Sequence, residues 1–248
     1  MKMMRLQFDL GNTRVKWRLG DKAAWLHYGS AINRDEGNVL DQITNCITEH
    51  QAVKIEQIQV ASVLSEQRNK SLSAELSARF GVEARFAKVI SPYLGLRCGY
   101  KEPNKLGVDR WLAMLAASRL TTNHFCVIDL GSAITLDIVN RDGQHLGGYI
   151  VPGFRLLAES LNGKTSEIQV RDSDLVGNLT PGSSTDEAVH HGLMNMILGF
   201  IEYGLRNAPK PCQIFVTGGD GIHLKPQLPP SSQYYPALVL DGLNIALP

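Results

Sequence analysis

Two short stretches of this 248-residue sequence carry the same pattern of groups able to do chemistry. Asp9-Leu10-Gly11-Asn12-Thr13 ends an apolar run in a carboxylate and a glycine turn, and Asp129-Leu130-Gly131-Ser132-Ala133 repeats it 120 positions later. A strand that ends this way sets a carboxylate beside several backbone N–H groups. The N–H groups suit phosphate oxygens, and the carboxylate suits a hydrated magnesium ion. One copy alone reads equally as an ordinary hairpin with a solvated Asp; two copies facing one cleft favour a nucleotide site. Lys16 follows the first copy closely.

Gly107-Val108-Asp109-Arg110-Trp111 stands at the start of a helical stretch. Asp109 there is either a cap that satisfies the helix dipole or a base that takes a proton from a substrate hydroxyl. In the second reading Arg110 contacts a polar substrate group, Gly107 allows close backbone approach, and Tyr100 with the bend at Pro103 walls the pocket. Gly147-Gly148-Tyr149-Ile150-Val151-Pro152-Gly153 either brings backbone against a nucleotide or turns a corner. Val216-Thr217-Gly218-Gly219-Asp220-Gly221 is a strand entering a glycine turn, either the floor under an adenosine or a plain turn. Gly163-Lys164-Thr165 imitates the end of a phosphate-binding P-loop, but that motif needs glycine where this chain has Ala158. His190 and His191 are helix neighbours pointing to different faces, one expected half-buried and one solvated, so they make no i, i+4 metal pair. No Gly-x-Ser-x-Gly elbow supports serine hydrolase chemistry.

The elements that must position these groups are legible in the periodicity. Met4 to Asp9, Val15 to Leu19 and Ala24 to Tyr28 read as strands, the first two joined as a hairpin. Glu36 to Thr48 reads as an amphipathic helix, Ile58 to Val63 as a buried strand, and Ser65 to Phe80 as a helix closed by Gly81. The second half starts the same way, with strands at Phe125 to Asp129, Ile134 to Val139 and Leu146 to Val151. Helices follow at Gly153 to Leu161 and Thr185 to Leu205, the latter with the capping pair Ser184 and Glu187, and Gln213 to Val216 is a strand. A helix over Val108 to Leu120 links the halves. Two copies of one supersecondary unit mean a duplicated domain rather than a solenoid, so the expected fold is two similar, closely packed α/β domains with a cleft between them.

Composition bounds the rest. The chain is 44% hydrophobic and 20% charged, with 25 basic and 24 acidic side chains. That is enough apolar material for a substantial core. A formal charge of +1 gives no field to hold a polyanion, so nucleic-acid and anionic-membrane binding lose compositional support. No apolar run nears the roughly 20 residues of a membrane helix, and Arg5, Gln7 and Asp9 interrupt any signal-peptide core at the start. The expected location is cytoplasmic. Cys46, Cys98, Cys126 and Cys212 show no CxxC pair or zinc spacing and read as buried or incidental thiols.

Taken together, the Asp9 to Thr13 motif, Gly107 to Arg110, Asp129 to Thr135 and the Gly147 to Gly153 segment resemble type III pantothenate kinase in order and spacing, through nearly the whole chain. The resemblance implies an α/β fold of duplicated actin-like (ribonuclease H-like) domains, 1–115 and 116–248, with an ATP cleft between them. It implies phosphorylation of pantothenate by ATP with Mg2+, the first step towards coenzyme A, and activation by a monovalent cation, K+ or NH4+. Carried onto this chain, Asp9, Leu10, Gly11, Asn12, Thr13, Arg14, Val15 and Lys16 would bind the ATP phosphates, with Asp9 near magnesium. Asp109 would be the general base. Tyr100, Gly107, Val108, Arg110 and Thr185 would line the pantothenate site beside Asp109, and Asp129 would hold the monovalent cation. Ser132 takes the place of an ATP-contacting Thr and keeps its hydroxyl; Ile134, also a common Thr position, loses one. The resemblance further implies a homodimer, with Thr185 placed beside the interface.

Two other functions stay open from sequence. One is a kinase for another small hydroxylated substrate such as a sugar, against which the Gly107 to Arg110 junction speaks. The other is a transcriptional regulator like the Bvg accessory factor, against which Asp9, Asp109, Asp129 and the balanced charge speak.

Overall fold

A computed structural model describes residues 2–21, 24–32, 36–49, 53–162 and 179–248. The Gly163-Lys164-Thr165 motif lies outside the described residues. The chain divides into two compact units, one of residues 1–90, 102–116 and 239–248, the other of 91–101 and 117–238. The C-terminal segment groups with the first unit, and residues 91–101 group with the second.

The first unit holds a five-stranded sheet of β1 (Lys2–Leu10), β2 (Arg14–Gly20), β3 (Trp25–Ile32), β4 (Val53–Ser62) and β5 (Ala84–Phe86), in the order β3-β2-β1-β4-β5. β1 pairs antiparallel with β2 and parallel with β4. Alternation along β1 sends Met4, Leu6, Phe8 and Leu10 into an apolar core with Val39, Leu40 and Ile43 of α1 (Glu36–Glu49) and Leu72 and Leu76 of α2 (Glu66–Phe80). α2 begins and ends as its residues dictate. Ser65 accepts the Arg68 N–H, and Gly81 takes the left-handed conformation at φ 67°.

The opposite face of this sheet is polar and also buried. Arg18 Nε donates to Gln7 Oε1 at 2.6 Å, Arg18 Nη1 to Asp241 Oδ1 at 2.7 Å, and Gln7 Nε2 to Asn244 Oδ1 at 2.9 Å. Gln7 Nε2 also donates to Gln59 Oε1, and Gln59 Nε2 to the Leu247 carbonyl. The Arg18 guanidinium lies over the Trp25 ring, 4.0 Å from its centroid. This network docks the C-terminal helix of the first unit, which spans Leu238–Ala246.

In the second unit β6 (His124–Leu130), β7 (Ala133–Val139), β8 (His145–Pro152), β9 (Cys212–Thr217) and β10 (Ser232–Tyr234) form a sheet ordered β10-β9-β6-β7-β8. β6 pairs antiparallel with β7 and parallel with β9, and β10 is parallel to β9. Position for position this repeats the first sheet, so the duplication expected from the two Asp motifs is a duplication of topology. Between β5 and β6 lies α3 (Val108–Ala117), apolar after Asp109 and Arg110 and buried from Arg110 onward. It ends three residues short of the expected Leu120.

Cys126, Ile128, Leu130, Leu136 and Ile138 pack under Phe154 and Ala158 of α4 (Phe154–Asn162) and Leu193, Met194, Ile197 and Ile201 of α5 (Thr185–Arg206). The cysteines far apart in sequence meet here, with Cys126 Sγ 3.3 Å from Cys212 Sγ. The hydrogen bond with Cys212, and then burial, push the Cys126 thiol well above the usual range, while Cys212 is drawn down by its bond to Cys126. Ser184 caps α5 by accepting the Glu187 N–H at 3.2 Å. The return arm of the expected capping box slips by one residue: Glu187 Oε2 accepts from Ser183 N and Ser183 Oγ, at 2.7 and 2.6 Å. A four-residue turn, α6 (Gly221–Leu224), follows β9, which makes the C-terminal helix α7.

Candidate active site

The Asp9 hairpin is built from the register of β1 and β2. Leu10 pairs with Val15 and Asp9 with Lys16, and the Gly11 N–H donates to the Arg14 carbonyl at 3.0 Å to close the loop. Residues directly opposite in an antiparallel pair share a face, so the Asp9 carboxylate and the Lys16 ammonium lie on one side of the sheet. Leu10 and Val15 point into the core, whereas Asn12, Thr13 and Arg14 are exposed. Of the eight residues Asp9 to Lys16, therefore, six present side chain or turn backbone outward and two anchor the hairpin.

The Asp129 hairpin has the same plan with a loop one residue shorter. Leu130 pairs with Ile134 and Asp129 with Thr135, and Gly131 N donates to Ala133 O at 3.2 Å. The acid thus stands opposite a neutral Thr instead of a Lys. Ile134 is a core residue at 1% exposure, so the side chain that departs from the commoner Thr is spent on packing. Other loops of the second unit converge on this end of its sheet. Gly153 N donates to Ser132 O at 2.8 Å, and Asp220 N to Leu130 O at 2.9 Å. Gly218, at φ 93°, comes so close that a Cβ there would lie 2.3 Å from the Leu130 carbonyl oxygen and 2.5 Å from Asp129 Oδ1. Only glycine permits that approach. The structure therefore gathers Asp129, Gly131, Ser132, Gly153 and the Gly218 turn in one place.

Asp109 is the second residue of α3, at the half-exposed mouth of an otherwise buried helix. Its Oδ1 accepts the Arg110 N–H at 2.8 Å, which fixes the carboxyl group at the positive end of the helix dipole. The capping role considered from sequence is present in this bond. A Cβ at Gly107 would lie 2.5 Å from the same Oδ1. The preceding glycine is thus what leaves space for the carboxylate, and Val108 and Arg110 beside it are buried. Just upstream, Pro103–Lys105 form a 3-10 turn at the expected bend.

Tyr100 lies in the second unit, its ring stacked on His145 with centroids 6.0 Å apart and planes inclined by 19°. His145 Nε2 is 2.9 Å from Asp137 Oδ1 in a pair that is almost fully buried. Sequence reasoning passed over this pair, although a charged residue inside the apolar run Ile134 to Val139 was its signal. Thr185 is the exposed first residue of α5. Both His190 and His191 are half-buried, correcting the expected split. His190 stacks on Phe154 with centroids 6.1 Å apart, and His191 Nδ1 donates to the Thr180 carbonyl at 2.7 Å.

Among the described residues no three His, Cys, Asp or Glu side chains form a metal cage, and no helix is long and apolar enough to cross a membrane. Each hairpin presents one acid, Asp9 or Asp129, within its Asp-Leu-Gly turn. That donor set fits a cation carried largely by substrate phosphates.

Comparison with known proteins identifies the family. A family model described as type III pantothenate kinase matches residues 5–207. The chain is 37% identical over 252 residues to a type III pantothenate kinase of Pseudomonas aeruginosa, covering 99% of each. To one of Pseudomonas putida it is 36% identical over 255 residues, again covering 99% of each. Among solved structures, a Campylobacter jejuni protein assigned to a Baf family of transcriptional activators aligns with TM-score 0.64 at 22% identity, covering 96% of this chain and 95% of that one. MreB5 of Spiroplasma citri, bound to ADP, aligns with TM-score 0.51 at 11% identity over 98% and 95% of the two chains. These structural likenesses speak for the fold, which is the duplicated actin-like α/β fold.

Proposed function

The chain belongs to the type III pantothenate kinase family, and from that premise we propose how its own residues carry out the transfer. It is a phosphotransferase that uses ATP to phosphorylate pantothenate on the way to coenzyme A. The observation carrying the finer reading is the carboxylate of Asp109, held by its own helix terminus and given room by Gly107.

In this reading Asp109 is the general base. The primary hydroxyl of pantothenate donates a hydrogen bond to its carboxylate. As the hydroxyl oxygen attacks the γ-phosphorus, the proton passes to Asp109 and the bond from the γ-phosphorus to its bridging oxygen breaks, releasing ADP. Protein groups supply position and charge compensation, since phosphoryl transfer asks for little covalent chemistry. Gly107, Val108, Arg110, Tyr100 and Thr185 hold pantothenate. The turn from Leu10 to Lys16 and the Ser132 hydroxyl hold the ATP phosphates. Because the hairpin takes the Gly11 N–H for itself, phosphate contact falls mainly to Asn12, Thr13, Arg14 and Lys16.

The difference between the two hairpins supports different cation roles. Asp9 stands opposite Lys16, a pairing suited to a triphosphate whose magnesium Asp9 steadies. Bound magnesium supplies neutralisation of the phosphate charge. Asp129 stands opposite Thr135 and suits a singly charged ion, K+ or NH4+, close to the Gly218 turn. The protein works as a cytoplasmic homodimer. Its self-association is supported by the exposed Tyr149 and Ile150 of edge strand β8 and by the exposed Met196 and Tyr203 of α5.

The test is ATP-dependent phosphorylation of pantothenate, measured against hexoses and with K+ or NH4+ present or replaced by Na+. Asp109→Asn should lower kcat by about 10²- to 10⁴-fold, the worth of general-base assistance, while ATP binding by calorimetry is retained. Wild-type turnover in that variant would remove Asp109 from the role. Activity indifferent to the monovalent cation would remove Asp129 from its own.

A further inference from the structure

The segment 91–101 precedes the Asp109 helix in sequence yet packs with the second unit, and His145 is one of the residues it docks on. Tyr93 and Leu96 exchange backbone hydrogen bonds at 2.9 Å around a turn with Leu94 at φ 48° and Gly95 at φ 90°. Arg97 N then donates to Gly143 O at 2.8 Å, and His145 N to Arg97 O at 2.9 Å. Gly99 packs so tightly that a Cβ would lie 2.1 Å from the His145 carbonyl oxygen, and its N–H donates to His145 Nδ1 at 3.4 Å. Tyr100 follows, with its ring stacked on the imidazole.

His145 is 1% exposed, as is Asp137. Since Nδ1 accepts from Gly99, the ring proton sits on Nε2 and is donated to Asp137 Oδ1. A buried carboxylate is costly to fold around, and an apolar residue would fill the same space without that cost. What the pair adds is direction. One hydrogen bond ties the ring to β7 and the other to the 91–101 segment, so the plane against which Tyr100 packs has a fixed tilt.

We propose that His145, oriented by Asp137, is a positioning residue that sets the Tyr100 ring for binding pantothenate. The proposal rests on the reading that Tyr100 contacts pantothenate. His145 itself touches no reacting atom.

The test is a double-mutant cycle in the steady-state kinetics of the full-length enzyme. Tyr100→Ala establishes whether the ring contributes to pantothenate binding. His145→Ala should raise KM for pantothenate about 10-fold, within the roughly 10²-fold that misplacing a group by 1 Å can cost. KM for ATP should stay within about two-fold, a split that uniform damage to the fold would not produce. His145→Gln, which retains a donor for Asp137, should recover part of the loss. In the Tyr100→Ala background His145→Ala should add less than about two-fold, because the ring it positions is gone.

The proposal is overturned if His145→Ala leaves pantothenate KM unchanged, raises both KM values alike, or has its full effect without Tyr100. If Tyr100→Ala itself leaves pantothenate KM unchanged, the pantothenate contact of Tyr100 is what fails, and the positioning proposal falls with it. Should His145→Ala not fold, His145→Phe keeps the volume and the stacking face, lacks both ring nitrogens, and carries the same expectations.

Discussion

Removing the carboxylate of Asp241 should destabilise the first unit far more than a surface acid would. The side chain of Arg18 is 2% exposed and that of Asp241 45%, with 2.7 Å between Nη1 and Oδ1. Burial lowers the Arg18 pKa and the bond to Asp241 pulls it back up, so the acid opposes a desolvation penalty already incurred. Breaking a fully buried pair costs about 3–5 kcal/mol, and an exposed pair is worth about 0–1 kcal/mol. Asp241 stands between these limits, and Arg18 keeps Gln7 and the Trp25 face. The expected cost of Asp241→Ala is therefore about 2 kcal/mol. For a unit of roughly 115 residues, unfolding entropy near 2.1 cal/mol/K per residue turns this into a drop of about 8 °C in its transition. Differential scanning calorimetry reads that drop directly. In the background of Arg18→Met, which removes the charge and keeps most of the volume, the same Asp241→Ala change should cost under about 0.5 kcal/mol. A fall below about 2 °C for Asp241→Ala alone, or equal costs in both backgrounds, would refute the reasoning.

Three further outcomes follow from the geometry. Gly107→Ala puts a methyl group 2.5 Å from Asp109 Oδ1, the movable end of a side chain; kcat should fall about 10- to 100-fold with ATP affinity and melting temperature nearly unchanged, as kinetics and calorimetry can check. Gly218→Ala meets the Leu130 carbonyl and Asp129 Oδ1 at a φ of 93°, so it should cost at least about 2 kcal/mol in urea melts and raise the K+ concentration needed for half-maximal activity. Two hydrogen bonds from Ser183 hold the Glu187 carboxyl below its ordinary value of 4.5. The unfolded chain therefore takes up this proton at higher pH than the native one, so the contribution is complete above that value and is lost as pH falls through the lowered one. Thermal melts down an acid pH series should show a shallower loss for Glu187→Gln than for the parent.

Sequence reasoning reached the architecture because hairpins and helix caps are local. Asp9 to Lys16 folds back on itself through its own turn, and Ser65, Gly81 and Ser184 mark helix ends through contacts within a few residues. What it missed is non-local. Strands β5 and β10 are three residues each, too short to show a period. The return of Leu238–Ala246 to the first unit depends on Gln7, Arg18 and Gln59, three polar residues inside strands. Each sits on the face opposite the apolar alternation, where a polar residue is expected in any case, and each is invisible as a docking signal until its partner some 200 residues away is known. Asp137 with His145 is the same case at the site. A charge inside an otherwise buried strand says that a partner exists and not which one.

In the proposed reading the two hairpins of the duplicated element take separate duties. Both begin with Asp-Leu-Gly at the end of a central strand, and both close through the glycine N–H. Shortening the second loop by one residue changes what lies across from the acid. In the first hairpin the opposite residue is Lys16, and in the second it is Thr135. A carboxylate beside an ammonium adds little net charge, so its surroundings tolerate the dense negative charge of a triphosphate. A carboxylate opposite a neutral hydroxyl has no ammonium across from it, which in the proposed reading favours a weakly hydrated single-charge ion over a triphosphate. The same local neutralisation explains why a phosphate-handling enzyme can carry a formal charge of only +1. Under the proposed assignment, compensation for the nucleotide is concentrated in one turn and in ions that would arrive with the substrate, so no general excess of lysine and arginine is required.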